Sequence, residues 1–117
     1  MFDYLLRLFN GRRTEQGYSK PKYQAERVEE TPDILDKFTV YLVGSKKSIW
    51  HAEMICPCGC GAVLSMNLQN DFRPCWRATV FRDKTISLYP SVWRKVGCKS
   101  HFILRRGAVR WCREFDD

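Results

Sequence analysis

Hydrophobic positions change their period along this chain. Phe2, Leu5, Leu6 and Phe9 repeat at helical spacing, and Asn10-Gly11 follows as a stop. The pattern predicts a short N-terminal helix, too short to hold without docking on something else. Residues 11–30 are polar and have no period, so they read as a linker or loosely held arm. Thr31-Pro32-Asp33 offers an N-cap with proline at the first helical position, which predicts a single helical turn through Asp36.

From Phe38 the period is two. Phe38, Val40 and Leu42 alternate with Thr39, Tyr41 and Val43 as in a strand. A turn over residues 44–47 leads to a second strand at 49–55 and a third at 62–68. Residues 76–82 and 85–89 form a hairpin across Asp83-Lys84, and 102–105 and 108–112 form another across Arg106-Gly107. Residues 90–97 read as a short helical or irregular connection. The expected fold class is mainly β: a small antiparallel sheet or barrel-like zinc-binding domain over residues 37–117, with a helix and polar arm over 1–36.

A chain of 117 residues is one domain with room for a modest core. It contains no apolar run near the ~20 residues that span a bilayer, and its start lacks a secretory signal. Six cysteines without such a signal point to a reducing cytosol and to metal rather than disulfides. The net charge of +7 is lopsided. Residues 1–36 hold six Lys/Arg against seven Asp/Glu, whereas residues 37–117 hold fourteen against six. A basic C-terminal half suits an acidic protein surface, nucleic acid or another polyanion.

The densest chemistry lies in Cys56-Pro57-Cys58-Gly59-Cys60-Gly61, three thiols within five residues. Soft thiolates favour zinc, and a disulfide between near neighbours here would close a strained ring. Glycines permit the tight turn that aims several sulfurs at one point. Cys98-Lys99-Ser100-His101 is the complementary segment, so Cys56, Cys58, Cys60, Cys98 and His101 are five candidate ligands for an ion that takes four. Cys75 and Cys112, beside Trp76 and Trp111, are expected to be small core residues, with a disulfide between them as the alternative.

His51 and Glu53 share one strand face just before the thiols. A carboxylate beside a zinc-bound water is the usual general base of a metallohydrolase, which makes Glu53 and His51 catalytic candidates. His51-Ala52-Glu53 followed by Pro57-Cys58 shares residue types with the zinc deaminase signature, but its two halves are nearly contiguous and its last spacing is one residue short. Ser91 and Ser100 are candidate nucleophiles if His51 or His101 serves as base. Ser100 and His101 are sequence neighbours, so on a strand they face opposite ways and do not pair with each other.

Several of these stretches recur together: CPCGCG at 56–61, RPCW at 73–76, SLYPSVW at 87–93, GCKSHF at 97–102, and a final Gly107-x-x-x-Trp111. In this order they resemble a bacterial family of domains of unknown function, over roughly residues 37–113. Its members are encoded beside ubiquitin-like proteins and their activating and conjugating enzymes. The resemblance implies a peptidase that matures or removes a ubiquitin-like protein. The residues themselves allow two readings. One is a zinc-binding peptidase acting on a ubiquitin-like protein or its conjugates. The other is a zinc module without catalysis, binding nucleic acid or an acidic partner through Arg94, Lys95, Lys99, Arg105, Arg106 and Arg110, interleaved with Trp93, Phe102 and Trp111.

Overall fold

The computed structural model describes residues 21–112, which form eight strands and no helix. β1 (Gln24–Val28), β2 (Thr39–Gly44), β3 (Ile49–Ile55) and β4 (Val63–Asn67) make a first sheet in that order. β5 (Arg77–Val80), β6 (Ile86–Trp93), β7 (His101–Arg105) and β8 (Ala108–Trp111) make a second. Neighbours are antiparallel except β1 and β2, which run parallel. The expected β domain is thus divided between two sheets. The helix expected over residues 2–9 lies outside the described residues.

Strand alternation decides what is buried. Val40 and Leu42, Ala52 and Met54, and Leu64 and Met66 turn one face of the first sheet inward. Ile86, Leu88, Val92, Phe102 and Leu104 answer from the second, and all belong to one core cluster. The segment entering β1 stitches the sheets together: the Tyr23 N–H donates to the Gly107 carbonyl at 2.8 Å, and the Ala25 N–H to the Lys84 carbonyl at 2.8 Å. Gly107 has φ +82°, and a Cβ there would stand 2.7 Å from the Tyr23 oxygen, so the seam needs glycine on both counts.

Three expectations change. β1 falls in the stretch read as a polar arm. It is an edge strand of mostly exposed residues, so it carries no hydrophobic period. Residues 31–36 form bends and no helical turn, and the Asp36 N–H donates to the Tyr41 hydroxyl at 2.9 Å. Phe38 stands before β2 at φ +61°, edge-on to Tyr23 with ring centroids 5.3 Å apart.

A further change bears on function. β6 runs through Pro90 to Trp93, where a connection was expected. Leu88 faces Leu104 and Val92 faces Phe102, so four steps along β6 are set against two along β7. The surplus forms a bulge, with Tyr89 and Pro90 exposed in it. A proline is tolerated there because the ladder is already interrupted. Two extra residues preserve the strand's parity. Val92 returns to the core, and Ser91 and Trp93 share the outward face.

Candidate active site and metal centre

The outward face of the second sheet brings Ser91, Trp93 and His101 together. Trp93 and His101 are direct cross-strand partners, and their rings stack at 4.6 Å with 9° between planes. Ser91 precedes Trp93 by two residues, so it is the diagonal neighbour of His101 on the same face. The Ser91 Oγ lies 2.9 Å from His101 Nε2. His101 is 4% exposed, under the Trp93 ring. The Ser91 backbone is held from the other side, where the Trp76 indole N–H donates to the Ser91 carbonyl at 3.2 Å. Trp76 is in turn set by the 68–75 loop, which closes on Asn67. The Asn67 carboxamide donates to the carbonyls of Gln69, Phe72 and Pro74, and the Trp76 N–H donates to the Asn67 carbonyl. A cleft of about 630 Å³ opens over Ser91, walled by Trp76, Tyr89, Trp93 and Ile103. A second hollow of about 590 Å³ lies on the far side of Trp93 and includes His101.

The thiols gather on the other side of the same segment. The sulfurs of Cys56, Cys58, Cys60 and Cys98 all lie within 4.8 Å of one another. The Cys56–Cys58 separation is 3.4 Å and the Cys56–Cys98 separation 3.6 Å. A tetrahedral zinc with Zn–S near 2.3 Å has sulfur–sulfur edges of about 3.8 Å, so the set is compatible with zinc. Gly59 and Gly61, at φ +94° and +86°, supply the left-handed turns that fold Cys58 and Cys60 back toward Cys56. Cys56 is buried and its thiol is pushed up to about 11 by desolvation. Ser100 hydrogen bonds hold Cys98 down at about 6 and also lower Cys58, which favours the thiolate form that binds metal. The Arg94 guanidinium donates to the sulfurs of Cys60 at 3.7 Å and Cys98 at 3.6 Å, placing a cation against the thiols.

Ser100 joins the two centres. Its hydroxyl lies 3.1 Å from Cys98 Sγ and 3.4 Å from Cys56 Sγ, and its carbonyl accepts from the Arg94 N–H at 2.7 Å. His101, one peptide later, faces the opposite way toward Ser91. Five candidate ligands were available for four places. The four brought together are the cysteines, and His101 stands with Ser91 instead.

His51 and Glu53 form a pair of their own, Nε2 to Oε2 at 3.1 Å. They line up with Tyr41, Val43, Ser65 and Asn67 on the face of the first sheet opposite Ala52 and Met54. Cys56 belongs to the core side with Ala52 and Met54, so β3 itself stands between the Glu53 carboxylate and that side of the sheet. Cys75 and Cys112 are half-buried and lie outside the core cluster that was expected to hold them. Cys75 Sγ is 3.6 Å from Asn70 Oδ1, and Cys112 lines both hollows. Of the six basic residues singled out, Arg94 turns to the thiols and Arg106 lies 4.0 Å over the Phe81 ring. Sequence reasoning missed the roles of Trp76, Trp93 and Ser100. The alternation that set Ser100 apart from His101 was the available signal for the last.

The model of a family described as bacterial ubiquitination-like system serine protease (BubE) matches residues 27–112. The chain belongs to the BubE family. The match begins inside β1 and ends just after β8, so it takes in both the serine–histidine pair and the thiol centre. No curated protein and no solved structure matches the chain. Among the described residues no helix is long and apolar enough to cross a membrane.

Proposed function

We propose that this protein is a serine peptidase that processes or removes a ubiquitin-like protein, with Ser91 as nucleophile and His101 as general base. The observation that carries the reading is the 2.9 Å contact between Ser91 Oγ and His101 Nε2 beneath an open cleft, in a chain of a serine protease family. With its proton on Nδ1, His101 accepts the Ser91 hydroxyl proton at Nε2 as Oγ attacks the scissile carbonyl. The imidazolium then gives that proton to the leaving amine, and an acyl-serine remains. Water, deprotonated by the same Nε2, releases the new carboxylate and restores Ser91. The Trp93 ring fixes the imidazole plane, and the Trp76 hydrogen bond fixes the bulge that presents the hydroxyl.

Cys56, Cys58, Cys60 and Cys98 would hold zinc as a structural clip, since four protein ligands close the coordination sphere. When bound, the ion supplies cross-linking between the Cys56–Cys60 turn of the first sheet and the loop before β7 of the second. It thereby steadies Ser100 and, through one peptide, His101. In this reading Glu53 and His51 stand outside the catalytic machinery.

The test is covalent labelling. A fluorophosphonate probe should modify one residue, and mass spectrometry of the digested protein should place it on Ser91. A Glu53→Gln variant should label, and cleave a ubiquitin-like fusion, within about twofold of the native chain, because the amide can keep the His51 contact and β3 separates this position from the core side of the sheet. If Glu53→Gln abolishes cleavage and Ser91 stays unlabelled, the serine reading is lost. Trp76→Phe keeps an aromatic ring, though a smaller one, and deletes the indole N–H. A single neutral hydrogen bond contributes about 0.5–1.5 kcal/mol, so kcat should drop roughly 3- to 10-fold with KM little changed. Single-turnover kinetics would expose an unaltered rate and remove Trp76 from the positioning role.

A further inference from the structure

We propose that the cleft over Ser91 recognises an acidic peptide segment on the substrate, read by Lys95 and Arg105. The inference rests on Ser91 as the nucleophile and names the class of substrate it takes. Residues 84–112 carry seven Lys or Arg and not one Asp or Glu. Three of the seven lie against other groups: Arg94 at the thiols, Arg106 over Phe81, and Lys95 over Trp93, the last within the cleft itself. Lys95 and Arg105 are exposed and line the cleft that holds Ser91. Lys95 also lines the neighbouring hollow beside His101, together with Lys99. Among the described residues that line either hollow, none is acidic.

The ladder fixes where these cations stand. Arg105 shares the outward face of β7 with His101 and Ile103, four residues along the strand, or about 14 Å at the usual rise. Lys95 follows Trp93 at the opposite end, its ammonium 4.9 Å over the Trp93 ring that stacks on His101. One cation therefore stands on each side of Ser91 along the β6–β7 direction. An extended peptide crossing the serine passes both. The walls between them are Trp76, Tyr89, Trp93 and Ile103, which offer apolar contact and no counter-charge. A cationic cleft of this kind attracts carboxylates and repels basic segments, most strongly at low salt.

The experiment uses the full chain and matched quenched peptides that differ only as Glu or Asp against Gln or Asn on either side of the cleaved bond. The expected result is a preference of about 10-fold in kcat/KM for the acidic peptides, expressed mainly in KM. It should fall toward parity as sodium chloride is raised from about 50 to 500 mM, where screening is nearly complete. Lys95→Glu with Arg105→Glu should invert the preference toward basic peptides at an unchanged melting temperature. Equal treatment of acidic and neutral peptides at low salt overturns the proposal. A fluorescent acidic peptide binding to the Ser91→Ala variant gives a readout that does not need catalysis. If the native chain cleaves nothing, yet that peptide binds and the double charge reversal abolishes binding, the acidic-segment inference stands and the peptidase reading falls. If a single-stranded oligonucleotide displaces the peptide at about tenfold lower concentration, a polynucleotide is the better occupant and the proposal is overturned.

Discussion

Ser91→Ala should reduce cleavage of a ubiquitin-like substrate by at least about 10,000-fold, the scale seen when the nucleophile of a serine hydrolase is removed. The fold should not notice. Ser91 is half-buried, outside the core cluster, and its hydroxyl is bonded to His101 across the outward face of the sheet. The melting temperature should therefore stay within a few degrees, as for most substitutions away from the core. His101→Gln should cost nearly as much activity, and the Ser91→Ala, His101→Gln double variant should be no worse than either alone. Groups that act as one unit show this non-additivity, whereas two independent contributors would multiply. Kinetics on the four proteins of that cycle provide the check. A double variant worse than either single by the product of their effects would separate the two residues and dissolve the dyad. A Ser91→Ala enzyme with native kcat would move the nucleophile elsewhere.

Stripping metal should be as damaging to the fold as Ser91→Ala is to the chemistry. The four sulfurs come from two places, the turn between β3 and β4 and the loop leading into β7, and those places belong to different sheets. A zinc there would link the two sheets directly. Structural zinc contributes on the order of 10 kcal/mol in small domains. Each kcal/mol shifts the melting temperature of a domain this size by roughly 4–8 °C, so loss of only a third of that contribution lowers it by more than about 12 °C. We expect one zinc per chain by elemental analysis and loss of cooperative unfolding on chelation. Cys98→Ser should reproduce the effect, because Cys98 is the sole cysteine supplied by the second sheet's side of the centre. Cys75→Ala should not, since that thiol lies in the 68–76 loop away from the cluster. Differential scanning calorimetry decides the matter, and a metal-free protein with an unchanged transition would refute it. Peptidase activity should vanish alongside, because the sulfurs that hold the Ser100 hydroxyl would no longer be fixed in place and His101 is the next residue.

The local signals in the chain were strong where chemistry and backbone agree over a few residues. Three thiols in five residues, with glycines able to take positive φ, point to a tight turn that gathers sulfurs, as a metal site would need. Period-two alternation placed β3 at Ile49–Ile55 and put β7 and β8 on either side of Arg106-Gly107, because a strand with one buried face must alternate. Ser91 was visible as a candidate nucleophile and His101 as an imidazole with two candidate uses. What no local pattern carries is the register between strands distant in sequence. β1 is polar, and its strand character comes from pairing with β2 and from its bridge to Thr85. Pro90 marks the end of a strand by propensity, yet β6 continues because the bulge absorbs the missing N–H and returns Ser91 to the outward face. Whether His101 turns to the thiols or to Ser91 depends on that same register. Alternation dictates that Ser100 and His101 face opposite ways. Only the pairing of His101 with Trp93, two residues past Ser91, decides which of them meets the sulfurs and which meets the serine.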